Sequence, residues 1–275
     1  MASPCDCLVE TDNLQQAKSI IELVANEAWR IEQKYSRYQD NNICYAINNS
    51  NGSRVAIDPE TFGLLQFAQQ CYDISDGMFD LTSGVLRRVW SFKPNASFPS
   101  REKVEQLLPL IGWNKIKFDK DSLILQPEME IDFGGIGKEY AVDKAAQLVI
   151  EQFPDISVLI NFGGDLRVTH APVKRPYWQV GVDSQLAQLE KSIRLSIGAI
   201  CTSGDTERYL IHNGKRYGHI LNPTTGYPIK NAPHTVTVIA DHCLQAGLLA
   251  TLAMLHGPKA ESFLSDQSVK FYCQR

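Results

Sequence analysis

The residues most able to do chemistry lie between Met129 and Ile150, where the chain reads MEIDFGGIGKEYAVDKAAQLVI. A short β-like run, Met129 to Phe133, carries an acid, Asp132, then breaks at Gly134, Gly135 and Gly137 into a helix. Backbone N–H groups at such a turn, with the dipole of the following helix, can face an anion. Glycine also omits the Cβ atoms that would hold a large ligand off the backbone. The same residues equally make a tight turn with no ligand, and this segment alone does not choose between the two. A Walker loop is excluded, because it needs glycine at Asp132 and a hydroxyl residue at Glu139. The glycines are wrongly spaced for GxGxxG as well.

Four further loops combine glycine, a small hydroxyl residue and an acid or imidazole at a strand end. They are Ser75 to Gly84 (SDGMFDLTSG), Asn161 to Asp165 (NFGGD), Thr202 to Asp205 (TSGD) and His219 to Gly226 (HILNPTTG). Each alone is an ordinary turn former. Five such loops together point to one extended, phosphate-bearing ligand. His219 reads either as a satisfied or surface histidine or, beside its Asn-Pro turn, as a functional imidazole. Thr251 sits mid-helix, where its hydroxyl either bonds back to the preceding turn or faces a polar site.

These loops need a scaffold, and the hydrophobic pattern supplies one. Val142, Ala145, Ala146 and Val149 mark the buried face of the helix after the glycine turn. Leu14, Ala17, Ile21, Val24, Ala28 and Ile31 make another helical stripe, with Thr11 or Asp12 as N-cap. A polar loop is expected over 39–53, and Pro59 opens a helix whose inner face holds Leu64, Ala68 and Cys71. A loop over 93–99 precedes a short helix capped by Ser100. Strands are expected at 116–118, 123–125, 129–133, 157–162, 178–182, 194–197, 216–219 and 235–240. A helix apolar nearly all round runs from about Cys243 to Leu255 and belongs at the centre. The pattern predicts a single α+β domain over 1–275 with largely antiparallel sheets and packed helices.

With 275 residues, 44% of them hydrophobic, the chain has ample core. A net charge of -4 argues against a general nucleic-acid or membrane-surface binder. No run of about 18 apolar residues is present, and the N-terminus MASPCDCLVETDN lacks the features of a signal peptide. Seven scattered cysteines, an odd number, read as mostly free thiols of a reducing compartment. Cys5 and Cys7 share a strand face without a nearby His or Cys partner, which disfavours zinc there.

The loops, in this order and spacing, resemble the ApbE-type flavin transferases (FAD:protein FMN transferases). That family's pattern runs Met-Gly-Thr, Ser-Arg-Phe/Tyr, Asp-Gly-Ala-Phe-Asp-Pro-Thr, Asp-x-Gly-Gly-Ile-x-Lys-Gly-Tyr, Asn-x-Gly-Gly-Asp, Thr-Ser-Gly-Asp, His-Ile-x-Asp-Pro-x-Thr-Gly and Ala-Asp-x-x-x-Thr. This chain answers with Met1-Ala2-Ser3, Ser36-Arg37-Tyr38, the loops above, and Ala246-Gly247-Leu248-Leu249-Ala250-Thr251. The resemblance spans essentially the whole chain. It implies a T-fold-related α+β domain that binds FAD with magnesium. Such a domain cleaves the pyrophosphate, moves FMN onto a Ser or Thr hydroxyl of a target protein and releases AMP. It further implies that Met1, Tyr38, Met78, Phe79, Asp80, Asp132, Lys138, Ser203 and Ile220 contact FAD. His219 matches the family's general base, and the Gly135 carbonyl and Thr251 hydroxyl its metal ligands.

Departures from the pattern shape the expectation. Leu81 replaces a proline, and Asn222 an aspartate. Gly247 replaces the family's metal-binding aspartate and offers no carboxylate to an ion that prefers anionic oxygen. Its loss would weaken the ion, leave more waters on it or require another acid, for which Asp241 and Asp205 are candidates. Gly247→Asp is expected to be tolerated or to tighten magnesium. Two other activities stay open: FAD binding without turnover, and FAD hydrolysis to FMN and AMP. The free-thiol pattern favours the cytoplasm, with a periplasmic or membrane-anchored form the alternative for a trimmed chain.

Overall fold

A computed structural model describes residues 3–93, 96–182, 191–205 and 208–275. Met1 and part of the loop expected at 93–99 lie outside the described residues. In chain order the elements are β1 (Cys5–Val9), α1 (Leu14–Tyr35), α2 (Ile43–Asn48), β2 (Arg54–Ala56), α3 (Pro59–Ile74), α4 (Arg101–Leu107), β3 (Lys117–Phe118) and β4 (Ser122–Ile124). There follow α5 (Gly137–Gln152), β5 (Val158–Phe162), β6 (Asp165–Val168), β7 (Trp178–Val182), β8 (Lys191–Leu195), β9 (Gly198–Gly204), β10 (Tyr209–His212), β11 (Lys215–Gly218), β12 (Thr235–Ala240), α6 (Cys243–Leu255), α7 (Ala260–Asp266) and β13 (Lys270–Gln274). Contacts divide the chain into two compact units.

The first unit comprises Met1–Glu32, Ile136–Thr202 and Thr237–Gly247. In it β1, β5, β6, β9 and β12 lie side by side in that order, and the β1/β5, β5/β6 and β6/β9 pairs are antiparallel. The interior strand β5, Val-Leu-Ile-Asn-Phe, is mostly apolar because both sheet faces are covered. Leu159 joins a cluster with Leu166, Val168, Trp178 and Ile193 that includes the β7/β8 hairpin, while α5 packs on β5 and β6. As expected, Val142, Ala145, Ala146 and Val149 are fully buried. The first helical stripe is rotated from its expected face. Ile20, not Ile21, joins Val24, Ala28 and Ile31 in the core, and Leu14 is exposed. Its N-cap is Asn13, whose Oδ1 accepts from Gln15 and Gln16 N–H, whereas Thr11 Oγ1 accepts from Asn13 N–H.

The second unit comprises Gln33–Gly135, Ser203–Val236 and Leu248–Arg275. It carries the β2-β4-β3 sheet and the β10/β11 hairpin. As expected, α3 opens at Pro59, with Asp58 accepting from Thr61 N–H at 2.8 Å, and α4 is capped by Ser100. Two expectations need correction. The polar segment 39–53 contains α2, capped by Asn42, whose side chain accepts from Tyr45 N–H. Met129 to Asp132 is not a strand. Alternation does bury Met129, Ile131 and Phe133, but the backbone pairs with a side chain in place of a ladder. Asn48 accepts from Ile131 N–H at 2.8 Å and donates to Ile131 O at 3.0 Å, which meets the demand of buried peptide groups.

Candidate functional site

In the second unit the Asp132 loop is built around a buried guanidinium. Arg37 pairs with Asp132 and donates to Gly84 O at 2.9 Å and to Glu130 Oε2 at 3.1 Å. Glu130 also accepts from Arg87 at 2.9 Å and Arg88 at 2.7 Å. Burial pushes the Glu130 carboxyl up, but Arg88 and Arg87 outweigh it and hold it below the usual glutamate range. A short 3-10 turn, Phe133–Gly135, leads to α5. Its glycines answer close approach: a Cβ on Gly134 would lie 3.1 Å from Asp132 Oδ1, and one on Gly135 would lie 3.2 Å from the Phe79 ring. Asp132 Oδ1 accepts from Gly134 N–H at 2.9 Å, so the acid organises the turn that follows it.

The Met78-Phe79-Asp80 segment is held from within. Phe79 is buried, and its N–H donates to Ser75 Oγ at 2.8 Å. Asp80 spends its carboxylate on Thr82 N–H, Thr82 Oγ1 and Trp113 N–H at 2.8, 2.6 and 3.0 Å. Burial raises its pKa despite those donors. Its side chain therefore builds the loop and caps the 3-10 helix Leu81–Arg88. Tyr38, by contrast, exposes 81% of its surface, which leaves its ring open to a stacking partner.

His219 follows β11 directly and is half-buried, with its ring edge-on to Phe92 at 6.3 Å between centroids. The next turn is rigid for a visible reason. Asn222 Oδ1 accepts from Thr224 N–H at 2.8 Å and Thr224 Oγ1 at 2.6 Å. Ile229 N–H returns to Ile220 O at 3.1 Å. Gly226 has φ +72°, and Trp90 Nε1 donates to its carbonyl at 2.7 Å. A Cβ there would sit 2.5 Å from Val104 Cγ1. Gly226→Ala is accordingly expected to cost roughly 2–4 kcal/mol, combining left-handed strain with overpacking. Urea unfolding checks this, and a loss under about 1 kcal/mol would show that the loop adapts.

Also in this unit, Thr251 Oγ1 lies 3.5 Å from Ser203 Oγ, so the mid-helix hydroxyl faces another polar group. Asp205 is committed to Arg216 and to His234 Nδ1, each at 3.1 Å. These three residues, with Gly218, Ile220 and Met254, line a small cavity.

The first unit holds Lys138, Glu139 and Gly247. Lys138 Nζ is 2.7 Å from Asp165 Oδ2 and donates to Gly163 O at 3.2 Å. Burial opposes its charge, but Asp165 and Glu139 hold the ammonium's pKa above the ordinary lysine value. The Asn161 to Asp165 loop is the tight turn of the β5/β6 hairpin, with Phe162 paired to Asp165 and Gly163 and Gly164 at φ +61° and +92°. Asp143 accepts from Cys243 and Leu244 N–H at 3.0 and 2.9 Å and so caps the start of α6. Glu139 is buried, and its Oε2 has no hydrogen-bond partner among the described residues. Burial raises its pKa, the Asp165 carboxylate adds to the rise, and Lys138 opposes it. A Cβ built on Gly247 would lie 2.6 Å from Glu139 Cγ and 2.8 Å from Glu139 Oε1. Gly247→Asp alone would therefore collide with Glu139, which corrects the expectation that it is tolerated. Asp241 is exposed.

Sequence reasoning gives no site role to Arg37, Glu130, Glu139 or Asp165. Arg37 lies inside the Ser-Arg-Tyr segment, and Glu139 stands where the family pattern has glycine, so both signals were present. Among the described residues no group of three or more His, Cys, Asp or Glu could hold a metal ion. No helix among them is long and apolar enough to cross a membrane.

The fold is an α+β arrangement of helices and antiparallel sheet shared with known transferase structures. Against the ApbE protein of Thermotoga maritima it aligns with a TM-score of 0.89 at 29% identity, covering 98% of this chain and 90% of that one. The apo flavinyl transferase ApbE of Pseudomonas stutzeri shares the fold with a TM-score of 0.83 at 23% identity, over 98% of this chain and 91% of that one. The FAD:protein FMN transferase of Haemophilus influenzae is 25% identical over 257 residues, 88% of this chain and 74% of that protein. The enzyme of the same name from Klebsiella pneumoniae is 29% identical over 240 residues, 82% of this chain and 74% of that protein. The ApbE family's sequence profile matches residues 1–273, and the chain belongs to the ApbE family.

Proposed function

We propose that residues 1–275 work as one flavin-transferase domain that moves FMN from FAD onto a Ser or Thr hydroxyl of a target protein. The observation that carries this reading is the meeting of Ser203 and Thr251, 48 residues apart in sequence. Both belong to motifs that the family resemblance assigns to cofactor and metal.

Phosphoryl transfer asks the protein for positioning, charge neutralisation and removal of a proton. His219 takes the proton of the acceptor hydroxyl as its oxygen bonds to the FMN phosphorus, and the bond to the AMP oxygen breaks. Lys138, aimed by Asp165 and Gly163 O, brings positive charge to a phosphate. Tyr38, Met78, Phe79, Asp132, Ser203 and Ile220 contact FAD, a role the resemblance also gives to Met1, and Asp80 holds its loop in shape. Magnesium prefers hard oxygen donors. The Thr251 hydroxyl and Gly135 carbonyl, the ligands that the family resemblance implies, are of that kind. When bound, the ion neutralises charge on the diphosphate and the departing AMP. Every cysteine is a free thiol, which supports a cytoplasmic setting.

The test is mass spectrometry of a target bearing an Asp-Gly-x-Ser/Thr segment after incubation with FAD and Mg2+. The expected result is the added mass of FMN with release of AMP. A target left unlabelled with both Mg2+ and Mn2+ would overturn the reading. AMP and free FMN without label would identify a pyrophosphatase. Retained FAD without AMP would identify a flavin-binding protein.

A further inference from the structure

We infer that Glu139 supplies the carboxylate for the divalent cation that the family pattern places on residue 247. This rests on the flavin-transferase reading above. The family pattern has glycine at 139 and aspartate at 247; this chain has glutamate at 139 and glycine at 247. The exchange is spatially exact in the sense that matters, because the Glu139 side chain fills the space a residue at 247 would claim. A Cβ there would meet Glu139 Cγ at 2.6 Å, Oε1 at 2.8 Å and Cδ at 3.0 Å.

Glu139 also holds a buried carboxyl oxygen open to a ligand. It is only 8% exposed, and its Oε2 has no hydrogen-bond partner among the described residues. A buried carboxylate oxygen left unsatisfied is destabilising unless it is protonated or meets a cation. Lys138 does not meet this need, since its ammonium is engaged by Asp165 at 2.7 Å and Gly163 O at 3.2 Å. A carboxylate that reaches the place of residue 247 takes over the position from which the family pattern supplies its anionic ligand.

The other candidate acids fit less well. Asp205 is tied to Arg216 and His234, and Asp241 is exposed on the surface. The longer glutamate side chain, starting from α5, covers the reach that a short aspartate covers from α6. The net result is one carboxylate per site, moved from one helix to the next.

The probe is Mn2+, titrated by electron paramagnetic resonance into the full chain, alone and with FAD. Glu139→Gln, which keeps the shape and removes the charge, is expected to weaken Mn2+ binding by roughly 10- to 100-fold, the scale on which groups around a metal count. The double exchange Glu139→Gly with Gly247→Asp is expected to return affinity to near the wild-type value. Wild-type affinity in Glu139→Gln, no Mn2+ binding by the wild type, or a double exchange no tighter than Glu139→Gln would each overturn the inference. Should Glu139→Gln fail to fold by circular dichroism, the double exchange decides alone, recovery supporting the inference and its absence refuting it. FMN transfer to the target is followed in parallel. Glu139-dependent Mn2+ binding without transfer would sink the functional reading alone, whereas transfer with Glu139-independent binding would sink this inference alone.

Discussion

His219→Ala is expected to slow FMN transfer by ~10²–10⁴-fold, the usual contribution of a positioned general base. The effect belongs in kcat, because the imidazole's task arises only when the acceptor hydroxyl loses its proton. FAD affinity should stay near wild type. The backbone at His219 is set by the β10/β11 hairpin before it and the Asn222 turn after it, so truncating the side chain should leave the loop standing. Rapid-mix assays that follow FMN on the target, with FAD binding measured separately by fluorescence, separate the two quantities. A loss of less than about 10-fold in kcat would remove His219 from the base role and leave it a packing partner of Phe92. Equal losses in FAD affinity and rate would instead assign it to binding.

Much of the scaffold was legible because its signals were local. The α5 stripe reads directly from Val142, Ala145, Ala146 and Val149, and Pro59 announces α3 by first-turn geometry. The strand expected at 129–133 had the correct alternation, yet alternation reports which side chains are buried and not what the peptide groups bond to. Asn48, more than 80 residues earlier in sequence, supplies that partner, and no local pattern could name it. Gly163-Gly164 illustrates the opposite error. Two glycines between apolar runs signal a two-residue hairpin, and β6, the strand that follows them, is absent from the strands expected on the hydrophobic pattern. The site shows the same divide. Residue types such as His219 and Thr251 stand out in the sequence. The relation of Glu139 to Gly247 is a distance between helices and becomes visible only in three dimensions.

Arg37→Met should destabilise the protein by about 3–5 kcal/mol, the range found when one partner of a buried ion pair is removed. Arg37 is 5% exposed in its side chain, and methionine retains most of its volume, so the loss isolates charge and hydrogen bonding. Glu130 would keep Arg87 and Arg88. Asp132 would lose its arginine, and Gly84 O would lose its donor. Nor can the chain close over the gap, since a Cβ on Gly84 would lie 2.8 Å from Asp132 Cβ, which shows how tightly these segments already approach. Arg37→Lys should recover only part of the loss, because one ammonium cannot reproduce a fork that serves Asp132, Glu130 and a carbonyl together. Urea unfolding with an unchanged m-value measures the stability term. FAD affinity should fall along with it, because Asp132 also holds Gly134 N–H and thereby the glycine turn. Stability within about 1 kcal/mol of wild type would show that the loop draws its order from hydrophobic packing around Phe133 and not from this ion network.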